Sequence, residues 1–429
     1  MVNGKKFKFL CVSILACIIA QFITITGADA EMRLIVKQSY LGRVPRQIFP
    51  ETMTVSKDCR HIAFAMPIGQ SMAIIVDGKE TKRYSNIGMA SFVFSPDGKH
   101  LAIPATKGPS WTVAVNGEDN GLFDGVSPTI AFSPDSQHVA FGARKGDVWN
   151  LIIDGEKQEP GYKAIMKGTP IYSPDGKKLA YIAQKDKNIL LVVNGKEGKL
   201  YDEIKEGSLT FSPDSQHVAY IARSGRQWVL VKDDQEIEVQ GKITANPVFS
   251  PDSNHIAYSI KKMGKNILVV DGEEKDALGE VEFIAFSPDS KRLAYIAKKG
   301  LKQRYVLDDT QLGEFDYVKN NSIVFSPDSQ HTAFIARIKT KWFIVVDGKK
   351  EKEYDRVALN TLTFSPDNRY IAYVAQSNWK NFVVVDKAES DLFDRHVDKS
   401  CIVFDSPTHL HCLMENKGQY VKVDVTIVP

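Results

Sequence analysis

FSPDSQHVAF occupies residues 132–141, FSPDSQHVAY residues 211–220 and FSPDSQHTAF residues 325–334. Ser, Asp and His written three times are either a repeated catalytic set or the punctuation of a repeated structural unit. The spacing decides between them. The proline of Ser-Pro-Asp stands at 96, 134, 174, 213, 251, 288, 327 and 366. The spacing is about 39 residues throughout, and a constant period of that size marks a repeat architecture. A weaker copy, VSKDCRHIAFA, places Lys57 in the proline slot one period before the first. A tenth, VFDSPTHLHCL, carries Pro407 with its motif shuffled.

One unit reads as four strands. TLTFS, Thr361 to Ser365, alternates and stops at Pro366, which has no N–H to give to a ladder. Pro-Asp-Ser and Pro-Asp-Asn are turn sequences, because Pro presets φ and Asp bonds its own backbone. YIAYVAQ is a second strand, rich in aromatic and β-branched residues, and FVVVD a third. The third strand commonly ends in a pair suited to a type I′ hairpin, as at Asp77-Gly78, Asn116-Gly117, Asp154-Gly155, Asn194-Gly195, Asp271-Gly272 and Asp347-Gly348. A short fourth strand follows, often closing on an aromatic-Asp pair such as Tyr201-Asp202 or Phe393-Asp394. No segment shows a helical period. Four antiparallel strands in about 40 residues make a propeller blade. The expected fold is all-β: a β-propeller of four-stranded antiparallel blades with about ten repeats.

The second strand carries Ala at one fixed position: Ala63, Ala102, Ala140, Ala180, Ala219, Ala257, Ala294, Ala333 and Ala372. The residue after it is aromatic or Ile. Neighbouring strand residues point to opposite faces. Each blade is therefore predicted to have a small face and a bulky face, fitted against the next blade.

The FSPD[G/S]-x-x-[apolar]-A-[aromatic] unit resembles the WD-like propeller repeats of TolB and of the N-terminal domains of prolyl-oligopeptidase-type peptidases. The resemblance runs from about residue 50 to 425. It implies the propeller fold and says almost nothing of function. TolB-type rings usually have six blades, and ten units depart from that. The N-terminal domain of TolB and the α/β-hydrolase domain of the peptidases find no residues here. The last unit ends after a third strand, and RLIVKQ, Arg33 to Gln38, is a free strand at the other end of the repeats. That strand is predicted to complete the last blade and close a single ring, removing both edges. Two five-bladed rings are the alternative arrangement.

Ahead of the repeats lies a leader. Lys5, Lys6 and Lys8 precede an apolar run from Phe9 to Thr26, and Ala28-Asp29-Ala30 fits a small-x-small cleavage site. Residues 1–30 read as a secretory signal peptide cleaved after Ala30, which predicts a periplasmic or extracellular protein whose propeller domain is residues 31–429. An uncleaved anchor and lipidation at Cys17 are the alternatives. Without residues 1–30, which hold three Lys and one Asp, the 55 basic and 52 acidic residues of the chain become 52 and 51. No stretch concentrates basic residues as a nucleic-acid footprint does, and no second apolar run is long enough to span a bilayer.

Chemistry has few candidates. Cys59, Cys401 and Cys412 remain after the leader. Export permits a disulfide. Cys401 and Cys412 flank a turn and are the candidate pair, with three buried free thiols as the alternative. His61, His100, His138, His217, His255 and His331 share one repeat position, which Lys178, Arg292 and Tyr370 fill elsewhere, so imidazole is not required there. His409 and His411 share a strand face, yet a zinc site needs more ligands at close spacing. The motif serines lie in turns without a particular His-Asp partner, unlike a triad. Trp111, Trp149, Trp228 and Trp342 each stand five residues before the third-strand Asp or Asn, with Trp379 near that register. They read as packing at a strand start, or as carbohydrate-binding rings on the surface.

What differs between copies is where specificity is expected. Propellers bind through the face made by connections from the fourth strand to the next first strand and by the second-to-third turns. The former include VSPT, MKGT, KEGS, TANP, KNNS and ALNT, which carry the candidate binding residues Lys167, Glu206, Asn246, Lys319, Asn320, Asn321 and Asn360. No acid–base pair, metal set or cofactor motif is expected among them. The reading is an exported, monomeric, non-catalytic scaffold for a protein or an envelope polymer. A hydrolase, lyase or lactonase-like enzyme with its site at the channel mouth is the alternative.

Overall fold

The computed structural model describes residues 32–88 and 92–428, and the leader read at residues 1–30 lies outside them. Ten antiparallel sheets follow one another along the chain. Blade 1 is formed by residues 54–84, and blades 2 to 9 by 86–119, 125–157, 164–201, 203–239, 242–276, 280–315, 317–350 and 356–389. Blade 10 combines residues 395–428 with Arg33–Arg43. Within a blade the strands pair in sequence order, and the first strands of successive blades lie against one another, so strand one is innermost.

The ring closes as the terminal strands predicted. Arg33–Arg43 pairs antiparallel with Gln419–Val428, from Arg33 opposite Val428 to Arg43 opposite Gln419. The fourth strand of the last blade thus comes from the other end of the chain, which completes blade 10 and covers the edge that Gln419–Val428 would otherwise leave unpaired. Ten clusters of buried side chains fill the ten interfaces between neighbouring blades, including the seam between blades 10 and 1. There is no common core. Each blade is held by its two neighbours, as in other repeat folds.

Packing departs from the expected small and bulky faces. Between blades 4 and 5, Ala180 and Ile182 meet Tyr220 and Ala222. Between blades 6 and 7, Ala257 lies with Tyr295 and Ala297. The second strand has a further buried Ala three residues after the first, as at Ala183, Ala222 and Ala297. Period-two alternation puts Ala180 with Ile182 on one face and Tyr181 with Ala183 on the other. Each face therefore carries one small and one bulky group, and facing blades interdigitate.

The repeated motif is a closed hydrogen-bond unit. In FSPDSQH of blade 3, the Ser133 hydroxyl donates to Asp135, the Gln137 N–H to Asp135 Oδ1 at 3.1 Å and the His138 N–H to Ser133 Oγ at 2.9 Å. The Ser133 hydroxyl and then the Gln137 amide hold the Asp135 carboxyl below its usual range. His138 Nδ1 meets Asp154 Oδ2 at 2.6 Å, and Asp154 Oδ1 accepts the Val139 N–H at 2.8 Å. Asp154 opens the Asp-Gly turn, so the two turns at one end of the blade are tied together. His61, His217, His255 and His331 pair with Asp77, Asp233, Asp271 and Asp347 in the same way, and His100 with Asn116.

The second serine joins blades. Ser136 has φ +65, and its Oγ accepts the N–H of Asp97 in the preceding blade at 3.1 Å. Ser215, Ser253, Ser290 and Ser329 repeat the contact at 2.9 to 3.0 Å, and Asn368 continues it with its side-chain oxygen. Cys59 holds this slot in blade 1, with φ +51. Its sulfur is bonded to Cys401 of blade 10. This corrects the Cys401–Cys412 pairing expected from the hairpin. Cys412 is a buried free thiol in the core between blades 9 and 10. The second strand turns Cys412 toward blade 9, whereas Cys401 lies at the ring seam, 6.1 Å from Cys59 between Cα atoms.

Candidate binding channel

The variable stretches are not connections between blades. In blade 5, Glu203–Ile204 and Thr210–Phe211 both pair with the second strand, opposite Arg223 and Ala222, then Ala219 and Val218. KEGS lies between them. It is a tight turn inserted into the middle of strand one, and it leaves the sheet on the side away from strand two, toward the ring axis. MKGT, KNNS, ALNT and VDKS (residues 397–400) break strand one in the same way in blades 4, 8, 9 and 10. The expected face of four-to-one connections is thus replaced by turns lining a central channel.

The last residue of each turn explains why it is Ser or Thr. Ser208 Oγ donates to Lys205 O at 2.7 Å and accepts the Ile221 N–H at 3.0 Å, satisfying a second-strand amide that the break in strand one leaves unpaired. Thr52, Thr169, Ser322 and Thr361 do the same, and Ser400 accepts the Leu413 N–H at 3.0 Å while its hydroxyl donates to Cys401 O at 3.4 Å. The third residue is left-handed: Gly168 has φ +84, Gly207 +71, Asn321 +62, Asn360 +61 and Lys399 +67. Asn321 and Asn360 therefore have a conformational reason to be Asn. Of the expected binding residues, these two are accounted for by the turn itself.

Three others are brought together. Lys167 Nζ lies 3.6 Å from Glu206 Oε1 across blades 4 and 5. Asn246 of blade 6 donates to Gly207 O at 2.9 Å and accepts from Lys205 Nζ at 2.6 Å. Thr129 of blade 3 accepts the Gly168 N–H at 2.9 Å. A stitched line of polar groups thus crosses blades 3 to 6 on the channel wall. Lys319 and Asn320 stand apart on the blade 8 turn. Sequence reading missed Lys205. Burial and then the neighbouring Lys242 charge push its ammonium below the usual lysine range. The signal was present, because Lys205 and Lys319 hold the same first position of their turns.

The histidines of blade 10 were the remaining chemical candidates. Asp405, His411 and Asp424 present oxygen and nitrogen atoms within 4.8 Å of one another. His411 is buried, with Nδ1 2.7 Å from Asp405 Oδ2 and Nε2 2.7 Å from the Asp58 carbonyl of blade 1. Both ring nitrogens face oxygen acceptors, so the ring has no lone pair directed at a metal. Arg60 of blade 1 completes the arrangement, donating to Asp405 at 2.6 Å. The cluster is a polar clasp across the closing seam, beside Cys59–Cys401. Of the tryptophans, Trp111, Trp149, Trp228 and Trp342 are half-buried at strand starts, and Trp379 is 87% exposed.

These features define the class: a ten-bladed, all-β propeller whose inner strands carry polar turns. No protein-family model and no curated protein matches the chain. Solved structures of similar fold include a eukaryotic initiation factor (12% identity, 77% of this chain and 96% of that one, TM-score 0.48). TolB from Acinetobacter baumannii is 15% identical over 61% of this chain and 77% of its own, with TM-score 0.30. The β-propeller domain of Myceliophteria thermophila Cps50 (Swd1) is 13% identical over 61% and 98%, with TM-score 0.31.

Proposed function

We propose that the protein is an exported, non-catalytic propeller scaffold that binds a protein or an envelope polymer through its channel wall. The observation that carries this reading is the stitched line Thr129, Gly168, Lys167, Glu206, Asn246 and Lys205. It sets polar groups from four adjacent blades at fixed positions, exposed at Lys167, Gly168 and Glu206 and half-buried at Thr129, Lys205 and Asn246. Lys167 and Glu206 neutralise one another and Lys205 is engaged by Asn246, an arrangement suited to recognising polar groups along an extended ligand. The leader at residues 1–30 supports export.

The test is affinity capture from envelope extracts on immobilised wild-type protein and on a Glu206→Ala, Asn246→Ala variant. Loss of one retained protein or polymer in the variant supports the reading. A monodisperse protein that retains nothing but turns over an ester, lactone or glycan substrate overturns it.

A further inference from the structure

The second-to-third turns of blades 6 to 9 form a sector unlike the rest of the ring. Their sequences are Lys262-Met-Gly-Lys265, Lys299-Gly-Leu-Lys302, Ile338-Lys-Thr-Lys341 and Ser377-Asn-Trp-Lys380. Each ends in Lys at the first residue of strand three. The other six blades have Ser71, Ser110, Val148, Asn188, Gln227 and Gln419 there. Three of these turns carry nearly bare apolar side chains, Met263 at 97% accessible, Leu301 at 93% and Trp379 at 87%, whereas Ile338 at 36% is less exposed than Val148 of the blade 3 turn at 47%. Repeated blades set equivalent turns in one plane across the ring axis, so these tips project together from one face.

Trp379 is the most telling. Asn378 and Trp379 have φ of +49 and +64, as Met263 and Gly264 (+49, +81) and Lys417 and Gly418 (+51, +70) do. Trp stands where the matching turns have Gly. A bulky residue at positive φ is strained, and here the strain holds an indole in water with nothing packed on it. Folding gains nothing from that placement.

We propose that this sector docks on the surface of an anionic lipid bilayer, with the Trp, Leu and Met tips in the interfacial layer and the lysines on the headgroups. Charge complementarity selects this occupant. Lys261, Lys299 and Lys339 have no carboxylate within 4 Å among the described residues. Lys265, Lys302, Lys341 and Lys380 are paired with Asp276, Asp316, Asp355 and Asp394, so the uncompensated charge of the sector is that of Lys261, Lys299 and Lys339. A notch of about 320 Å³ between the Met263 and Leu301 turns, lined by Lys265, Lys299 and Arg304 together with Asp276, has room for a phosphate headgroup. The apolar tips are single side chains separated by lysines. They form no continuous patch for a protein interface core, whereas a bilayer interface accepts such side chains one at a time. Arg33 pairs with Val428 at the end of blade 10 opposite its second-to-third turn. The proposal is independent of the channel reading.

The test uses the chain from Glu31 onward, which holds all ten blades and every interface core. Flotation with phosphatidylglycerol-containing vesicles is expected at low salt, with weak flotation on pure phosphatidylcholine. Brominated lipids are expected to quench Trp379 fluorescence. Trp379→Gly removes both the indole and the strain. It is expected to melt no lower than wild type and to lose about tenfold or more in vesicle partitioning. Lys339→Ser is expected to lose about fivefold. No flotation on anionic vesicles, equal flotation on both lipids, or undiminished binding by Trp379→Gly overturns the proposal. Retention of an envelope protein that Trp379→Gly abolishes, without vesicle binding, overturns it in favour of a protein partner.

Discussion

Cys59 of blade 1 is bonded to Cys401 of blade 10, linking residues 342 apart across the seam where the ring closes. The Cys401 N–H also points at the Cys59 sulfur at 3.0 Å. In blades 2 to 9 this slot holds a Ser, an Asn or a Gly instead. The seam is thus the one interface where the inter-blade contact is covalent among the described residues. Cys401→Ser, or reductant on the wild type, is expected to lower stability by about 3–5 kcal/mol, because the bond closes nearly the whole chain. Cys412→Ser is expected to keep the disulfide. Thermal melts with and without reductant, together with thiol counting, check this. A reductant-insensitive wild type sinks the assignment.

Ser290 gives a cleaner test of the contact between blades. Its Oγ accepts the Asp252 N–H at 2.9 Å while its backbone sits at φ +64. Ser290→Ala keeps the strained backbone and loses the acceptor, and is expected to cost about 1–2 kcal/mol. Ser290→Gly loses the acceptor but relieves the backbone, as Gly98 and Gly176 do in their blades, and is expected to be nearly neutral. Equal melting temperatures for the two variants would show that the left-handed backbone carries no weight, and a Ser290→Ala variant as stable as wild type would show the same of the hydrogen bond.

Ala294 faces blade 8 in the core with Ile296, Phe334 and Phe343. Ala294→Phe overfills that interface and is expected to cost about 1–3 kcal/mol by denaturant titration. The nearest-neighbour form of the fold adds a sharper expectation. Exchange protection should fall most in blades 7 and 8, and a uniform loss around the ring would contradict the absence of a shared core.

His396 predicts an acid-side loss of stability. It pairs opposite Met414 in the first strand of blade 10, with Nε2 sealed from solvent and without a hydrogen-bond partner. Burial pushes its pKa down to about 4 against the 6.5 of a free imidazole, with Asp398 opposing the shift. Between those values the unfolded chain takes up a proton that the folded ring refuses. The contribution is fully present above about pH 6.5 and is lost as pH falls toward 4, at most about 3–4 kcal/mol. His396→Asn should flatten the dependence of melting temperature on pH in that window, and an unchanged slope counts against it.

How much of this was legible depended on whether a feature is local. Ser-Pro-Asp, Asp-Gly and the Ala slot state turn and strand chemistry within one unit, so blade, period and copy number could be read directly. Ring closure could be read because RLIVKQ was an unpaired strand at one end and a fourth strand was missing at the other. The paired small and bulky faces were misread because one Ala per unit was weighed, although a second stands three residues on in most copies. The channel turns were misplaced because KEGS and its equivalents look like loops between strands. Only the pairing of Glu203–Ile204 with the far end of strand two shows that strand one continues on both sides.

The sequence by itself determined the unit, its number and its order, because backbone propensity and turn stereochemistry act over a few residues. The tertiary structure alone decided which distant residues meet. The Cys59–Cys401 bond, the His411 clasp and the Lys167–Glu206 pair each join different blades, and the lysine-rich sector spreads over four turns, each one repeat from the next. No local rule specifies such contacts. They follow from the rotation that carries one blade to the next and from the closure that brings the last beside the first.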